Sequence, residues 1–220
     1  MASVTFRTVT KTYGDVVALD HLDLAIADGE LFGVVGASGC GKSTALRIVA
    51  GLEDPTAGAV LLDEVDVTRL PPRDRRVGIV SQRDTLLEQR SGRRNIRFPL
   101  EVRPDAAPPG TADDLVEVQA RELDIERLLD RRPRELSKGE RRAVQLARAL
   151  VARPTVLLLD EPMAFMDPDL RRQMRSDLVE IQRRHRVTTV LVTADHHDAM
   201  VMADRIAVLH AGQLHQVAPP

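Results

Sequence analysis

Hydrophobic residues in this chain occur in short alternations and short runs, a pattern that is typical of strands. Alternation of apolar and polar positions predicts strands over 4–9 and 16–26. The remaining predicted strands are short apolar runs at 31–35, 59–62, 77–80 and 156–159, a buried strand at 189–193, and two hairpin strands at 206–209 and 213–217. Asp28 and Gly29 predict a hairpin turn before the third strand, and Ala211 with Gly212 predicts a closing hairpin.

The middle of the chain has a different pattern, dominated by charged and helix-forming residues. Helical spacing at 115–129 and 137–152 predicts two helices, and the proline-rich segment 104–110 predicts a loop. Beyond this region, capping residues and spacing predict further helices at 167–184 and 195–202.

Strands on both sides of a helical insert predict an α/β protein. We expect one domain over 1–220, with an α/β core and a β subdomain from 1–82 and 153–217, and a helical subdomain at 83–152. The length of 220 residues and the hydrophobic content of 43% suffice for such a core.

A glycine-rich loop separates the predicted strand 31–35 from a predicted helix. It fits G-x-x-x-x-G-K-[ST] and consists of Gly36, Ala37, Ser38, Gly39, Cys40, Gly41, Lys42, Ser43 and Thr44. Such a loop turns backbone N–H groups and a helix N-terminus towards one phosphate. Lys42 supplies charge for the β- and γ-phosphates, and the Ser43 hydroxyl is a magnesium ligand. The strand–loop–helix context favours this interpretation over a turn without a ligand.

Two acidic residues, Asp160 and Glu161, follow the apolar run at 156–159. Ligands of doubly wound sheets bind at the carboxyl edge of the strands, where this pair is predicted to lie. Asp160 is then a magnesium ligand, and Glu161 a base for an attacking water. The alternative is an acid pair that only caps a helix. Ser137 and Gly139 open the predicted helix at 137–152, where Ser137 with Glu140 reads locally as a capping box.

Composition excludes several classes of function. The net charge of -2 and the aromatic content of 2% disfavour nucleic-acid binding. A single cysteine, Cys40, excludes an internal disulfide and is consistent with a reducing cytosol. Within the phosphate loop, Cys40 is better explained as a small residue at a variable position than as a redox switch. No apolar run approaches the roughly 20 residues that span a bilayer, and we expect no secretory signal.

With these motifs, the chain resembles the nucleotide-binding subunits of ATP-binding cassette (ABC) transporters. The resemblance covers nearly all of its residues. The resemblance implies a P-loop NTPase (RecA-like) core with an N-terminal antiparallel β subdomain and an inserted α-helical subdomain. It implies ATP with Mg²⁺ and head-to-tail pairing, as a homodimer or with a second cassette. It also implies permease subunits, an extracytoplasmic solute-binding protein and a place at the cytoplasmic face of the membrane. Residues 70–78 look most like those of sugar importers.

The resemblance also assigns roles that the residues alone do not. Tyr13 would stack on adenine, and Gln82 would sense magnesium and the membrane partner. Ser137 and Gly139 would contact the γ-phosphate of ATP held by the partner subunit, and Asp167 would lie at the dimer seam.

The chain departs from the family pattern at three places. Ala194 stands where a histidine is expected to grip the γ-phosphate and orient Glu161, so we expect ATP binding with slow hydrolysis. Lys138 and Glu140 replace the common Gly and Gln, a variation that keeps Ser137 and Gly139. Nine arginines against three acidic residues between 69 and 97 suggest a cationic face for an acidic loop of a membrane partner.

Two alternative functions remain open at this point. One is a degenerate cassette that binds ATP as a regulatory or structural clamp, and Ala194 is its support. The other is a soluble cassette ATPase that acts on nucleic acid, which the charge and the aromatic content disfavour.

Overall fold

The computed structural model describes residues 2–164 and 166–220, apart from the side chain of Pro104. The strands are β1 (Val4–Tyr13), β2 (Val16–Ile26), β3 (Leu31–Val35), β4 (Ala57–Leu62), β5 (Val65–Asp66), β6 (Val77–Val80), β7 (Val156–Asp160), β8 (Thr188–Thr193), β9 (Arg205–His210) and β10 (Gln213–Ala218). The helices are α1 (Lys42–Ala50), α2 (Gly92–Val102), α3 (Ala112–Glu122), α4 (Lys138–Leu150), α5 (Pro168–His185) and α6 (His196–Met202). The chain divides into two compact units, 1–79 with 155–220, and 80–154.

The first unit contains a six-stranded sheet in the order β10-β9-β3-β8-β7-β6. β3 pairs in parallel with β8 and β9, and β7 pairs in parallel with β8. All residues of β3, β7 and β8 are buried, as expected for parallel strands covered on both faces. The predicted closing hairpin is confirmed by the antiparallel pairing of β9 with β10.

A second sheet, in the order β2-β1-β4-β5, is antiparallel throughout. The predicted α/β core with an N-terminal antiparallel subdomain is therefore confirmed. The predicted hairpin at Asp28 and Gly29 is wrong, because β2 and β3 belong to different sheets. The turn itself is present, with Gly29 at φ +73°. Since β3 buries every residue between β8 and β9, it cannot also pair with β2.

The second unit is helical and closes over an apolar cluster. α2, α3 and α4 bury Ile96, Val116, Ala120, Val144 and Ala147 in one core. The predicted single helix over 115–129 is wrong, because α3 ends at Glu122 and a separate 3-10 turn covers Glu126–Leu128. Asp124 adopts φ +57°, and the N–H of Ile125 returns to the carbonyl of Ala120 at 2.9 Å. This left-handed residue reverses the chain so that Ile125 and Leu128 are buried. A 3-10 turn, Pro104–Ala106, also lies within the predicted loop 104–110.

One buried arginine holds together a part of the first unit that has no regular pairing. The guanidinium of Arg75, 2% exposed, donates to the carbonyls of Leu70, Thr68, Ile48 and Val49 at 2.6–3.1 Å. The carbonyls of Ile48 and Val49 lie in the last turn of α1, where a positive charge also interacts favourably with the helix dipole. Arg75 thus joins the loop after β5 to the helix that follows the phosphate loop.

We expect Arg75→Met to lower the free energy of unfolding by about 3 kcal/mol, because it leaves buried carbonyl groups without their donor. Urea unfolding followed by circular dichroism measures this change. Arg73→Met is the matched control, since the Arg73 side chain is exposed, and its expected change is below about 0.5 kcal/mol. Equal unfolding midpoints for the two variants would contradict a structural role for Arg75.

Candidate nucleotide-binding site

The predicted phosphate loop connects β3 to α1, and its path is set by its neighbours. Gly36 has φ +156° and Gly41 has φ +107°. A Cβ at Gly36 would overlap the carbonyl oxygen of Leu209, and one at Gly41 that of Ala18. The loop is thus wedged between β2 and β9, and only glycine fits at these two contacts.

Lys42, the first residue of α1, is 5% exposed. Its ammonium donates to the carbonyls of Gly36 at 2.7 Å and Ala37 at 2.9 Å. The lysine therefore bridges both ends of the loop and keeps its charge at the centre. Ala37, Ser38 and Gly39 form the exposed crest of the loop, and Cys40 is a buried filler.

The structure brings Ser43 and Asp160 together across 117 residues of sequence. The Ser43 hydroxyl donates to Oδ1 of Asp160 at 2.8 Å. Asp160 ends β7 and is 5% exposed. A hydroxyl and a carboxylate are the hard oxygen donors that Mg²⁺ prefers. Within residues 2–164 and 166–220, no group of three or more His, Cys, Asp or Glu side chains could hold a metal ion. The pair fits a magnesium ion because it offers two such oxygen ligands side by side.

Glu161 follows directly and leaves the strand in a left-handed conformation, φ +49°. Its N–H donates to the carbonyl of Val192 at 2.9 Å. Its carboxylate accepts from the Thr193 hydroxyl at 3.5 Å and from the N–H of Ala194. Burial raises the pKa of Glu161, while the Ala194 hydrogen bond and the charge of Lys42 oppose the rise. A carboxylate with a raised pKa is suited to accept a proton from water.

The resemblance placed position 194 beside Glu161, but the sequence did not indicate Thr193 or a backbone N–H as the contacts of its carboxylate. The sheet topology indicates these contacts, because β7 and β8 are adjacent parallel strands that end at the same edge of the sheet. Ala194 itself is exposed, and so are His196 and His197 in the first turn of α6. Neither histidine replaces the missing side chain at 194 in the described contacts of Glu161.

The other predicted site residues lie at exposed ends of elements. Tyr13 ends β1, is 44% exposed, and has the Lys11 ammonium 4.8 Å from its ring centroid. Asp167 caps α5, where its carboxylate accepts from the N–H of Leu170 at 3.0 Å. Their proposed contacts with adenine and with a partner subunit stay predictions.

Three further predicted residues belong to the helical unit. Gln82 is exposed, and its carbonyl accepts from Arg142 at 3.4 Å. Ser137 caps α4 by accepting from the N–H of Glu140, and Glu140 accepts in return from the N–H of Ser137. Gly139 lies in the same first turn. The local capping box is therefore present, and the phosphate contacts of Ser137 and Gly139 stay predictions.

Three of the nine arginines at 69–97 form ion pairs with acids that lie outside this segment. Arg90, Arg93 and Arg97 pair with Glu101, Glu117 and Asp113, at 2.8, 2.5 and 2.8 Å. These acids lie outside the counted segment, and Arg75 is buried. The count along the chain omitted these three partners, and the cationic docking face stays a prediction.

Comparison with known proteins agrees with the geometry. The sequence pattern of the family described as ABC transporter matches residues 19–164. This chain belongs to the ABC transporter family. Among ABC proteins of known structure, the dimeric cassette MJ0796 in a post-hydrolysis state bound to ADP and Pi has a TM-score of 0.87 and 29% identity, with 98% of both chains covered. The ABC cassette CbiO1 from Clostridium perfringens has a TM-score of 0.88 and 27% identity, over 99% of this chain and 88% of that one.

Curated ABC relatives match the whole chain. The diacetylchitobiose uptake system ATP-binding protein MsiK of Streptomyces coelicolor is 44% identical, with 58% of its length covered. The sulfoquinovosyl glycerol transport ATP-binding protein SmoE of Agrobacterium fabrum is 43% identical, with 61% covered. The trehalose/maltose import ATP-binding protein MalK of Thermococcus litoralis is 42% identical, with 60% covered. The chain thus spans about three fifths of the length of these relatives. In the described parts of the chain, every helix is too short or too polar to cross a membrane.

The capping box of α4 generates a prediction on pH. The hydrogen bond from Ser137 N–H and the ion pair with Arg127 lower the pKa of Glu140 from 4.5 to about 2. A carboxyl whose pKa is lowered on folding stabilises the protein above its unfolded pKa, and the contribution is lost as the pH falls through 2. At pH 7, we expect Glu140→Gln to cost about 1 kcal/mol of unfolding free energy, a value reduced by solvent screening.

Urea unfolding of the variant and the original chain between pH 7 and pH 3 measures this difference, which should narrow below pH 4.5. Glu126→Gln is the control, because Glu126 is an exposed acid on the 3-10 turn Glu126–Leu128, and it should have little effect at any pH. If the difference in unfolding free energy between Glu140→Gln and the original chain stayed constant down to pH 3, the charge of Glu140 would not stabilise the helix cap.

Proposed function

We propose that this chain is the ATP-binding and ATP-hydrolysing subunit of an ABC transporter that imports a solute. The contact between Ser43 and Asp160 carries this proposal, because it joins a magnesium-type oxygen pair to the phosphate loop. Lys42 lies inside the same loop, and Glu161 follows Asp160 directly. Family membership and the names of the relatives, which are import and uptake systems, support the same conclusion.

In this mechanism the loop N–H groups and the α1 N-terminus bind the β- and γ-phosphates. The Lys42 ammonium exchanges the carbonyls of Gly36 and Ala37 for phosphate oxygens. Ser43 and Asp160 would hold Mg²⁺, and the ion would supply neutralisation of phosphate charge. Glu161 takes the proton from the attacking water, which its raised pKa favours. Tyr13 stacks on the adenine ring.

We further propose that two cassettes pair head to tail, as a homodimer or with a second, competent cassette. Ser137 and Gly139 at the N-terminus of α4 then contact the γ-phosphate of ATP in the partner subunit, and Asp167 lies at the seam. A dimeric state is stated for the matched cassette MJ0796. The pair works on permease subunits at the cytoplasmic face of the membrane, with an extracytoplasmic solute-binding protein.

A carbohydrate or related compound is the solute class that we propose. Named carbohydrates recur among the relatives, including diacetylchitobiose, trehalose/maltose and xylose/arabinose. Relatives named for spermidine/putrescine and for sulfate/thiosulfate import match at 44% and 41% identity. Uptake assays on the assembled transporter, with each of these three solute classes, test the choice.

The phosphate loop itself is tested by Lys42→Ala. We expect at least tenfold weaker retention of labelled ATP, because the charge for the phosphates is lost. Arg47→Ala, exposed on α1, is the matched control and should bind as the original chain does. Thermal unfolding verifies that both variants are folded, and equal ATP retention by all three proteins would contradict the proposed function.

Ala194 generates a second prediction. We expect the original chain to bind ATP and to hydrolyse it slowly, and Ala194→His to raise the rate of phosphate release by a factor of 10 or more. The position is exposed, so that an imidazole finds space there. His196→Ala and His197→Ala should leave the rate unchanged. Rapid hydrolysis that Ala194→His does not alter would refute this prediction. Binding without hydrolysis in both forms, even in the assembled transporter, would favour the regulatory clamp.

A further inference from the structure

Arg171, in the first turn of α5, contacts the start of α6, and Arg175 of the same helix also lies 3.5 Å from Oδ1 of Asp198. Nη1 of Arg171 donates to Oδ2 of Asp195 at 2.6 Å. Nε of the same guanidinium lies 3.8 Å from Oδ2 of Asp198, which is 1% exposed. Arg171 therefore faces two acids of the segment that follows β8. A lysine, with a single charged point, does not reproduce this arrangement.

Asp195 is held on three sides. Its Oδ1 accepts from the N–H of His197 at 2.9 Å, which makes it the cap of α6. Its own N–H donates to the Thr193 hydroxyl oxygen at 3.1 Å. Together with the bond from Arg171, these contacts fix the backbone of 193–195 between the end of β8 and the start of α6.

The same three-residue segment supplies the neighbours of Glu161. The Thr193 hydroxyl lies 3.5 Å from Oε2, and the Ala194 N–H donates to the carboxylate. Thr193 is 2% exposed, so its position depends on packing and not on solvent. Because the alanine at 194 has no side chain able to orient Glu161, the orientation of Glu161 depends on where the backbone of 193–195 lies.

Arg171 also belongs to the turn that Asp167 begins. The N–H of Arg171 donates to the carbonyl of Asp167 at 2.9 Å, and the Asp167 carboxylate caps the same turn. The contacts therefore run without a gap from Asp167 through Arg171 and Asp195 to Thr193 and Glu161. All of these residues lie in the first compact unit.

We propose that Arg171, through Asp195, is a positioning residue that sets the orientation of Glu161 for the attack of water on ATP. This inference rests on the proposed ATPase function and assigns to α5 a part in it. Arg171 does not touch the nucleotide in this proposal. It acts by holding 193–195 in the place from which Thr193 and the Ala194 N–H orient the carboxylate.

The test compares Arg171→Gln, Asp195→Asn and the double variant in ATP hydrolysis. Asn is itself a favourable helix cap, so Asp195→Asn keeps the α6 cap and removes the charge that binds Arg171. We expect each single variant to lower kcat about tenfold with KM for ATP within twofold, because orientation of the base and not binding is lost. The double variant should be no slower than the slower single variant, since both act through one contact.

Arg172→Gln is the matched control. Arg172 is the next residue of α5, is largely exposed, and lies 3.6 Å from the exposed Asp169. It should keep the original kcat and KM. Rates are normalised to the folded, ATP-binding fraction of each preparation, so that a loss of stability alone does not lower kcat.

The outcomes separate this inference from the proposed function. Original kcat values in Arg171→Gln and Asp195→Asn would overturn the inference and leave the ATPase intact. Multiplicative losses in the double variant would also overturn it, because the two residues would then act independently. An original chain that binds no ATP, or binds it without any turnover in the assembled transporter, would overturn the ATPase function and this inference together.

Discussion

Ser43 and Asp160 are 117 residues apart in the chain and 2.8 Å apart in the structure. They meet because β3 and β7 both run parallel to β8, so that their carboxyl ends open onto one edge of the sheet. The phosphate loop leaves β3 at that edge, and the acid pair leaves β7 there. Everything proposed for nucleotide binding depends on this shared edge, since neither segment forms a site alone.

The second constraint is the space around the loop. Leu209 and Ala18 present carbonyl oxygens where Gly36 and Gly41 would otherwise carry a Cβ, and the N–H of Gly212 donates to the carbonyl of Cys40 at 3.0 Å. The loop is therefore shaped from outside, by β2 and by the β9–β10 turn. Lys42 completes this from within by joining two of the loop carbonyls. A loop held in this way presents its N–H groups to a phosphate with little conformational entropy left to lose.

The surroundings of Glu161 lack the histidine side chain expected at position 194, so other groups contact its carboxylate. With alanine at 194, the Glu161 carboxylate is oriented by a backbone N–H and a threonine hydroxyl. Neither group is carried on a long side chain that could adjust its position. Their accuracy depends on the backbone of 193–195, and that backbone is tied to α5 through Arg171. In the proposed mechanism, a helix outside the phosphate loop thus takes part in placing Glu161.

The sequence by itself determined the strands, the phosphate loop, the acid pair and the helical insert, because each of these is a local pattern with a local physical cause. It failed at the turn of Asp28 and Gly29 and at the break near Asp124, and its count of charge at 69–97 omitted three acidic partners. The wrong hairpin and the omitted acidic partners concern residues distant in the chain, whereas the break near Asp124 is a local reversal of the backbone. A turn does not state which sheet its next strand joins, and a count of arginines does not include Glu101, Glu117 and Asp113. Only the tertiary structure decided which strand ends meet. It therefore decided that Ser43 binds Asp160 and that Thr193 lies beside Glu161. The physical reason is that parallel pairing is set by the burial of whole strands and not by any short segment.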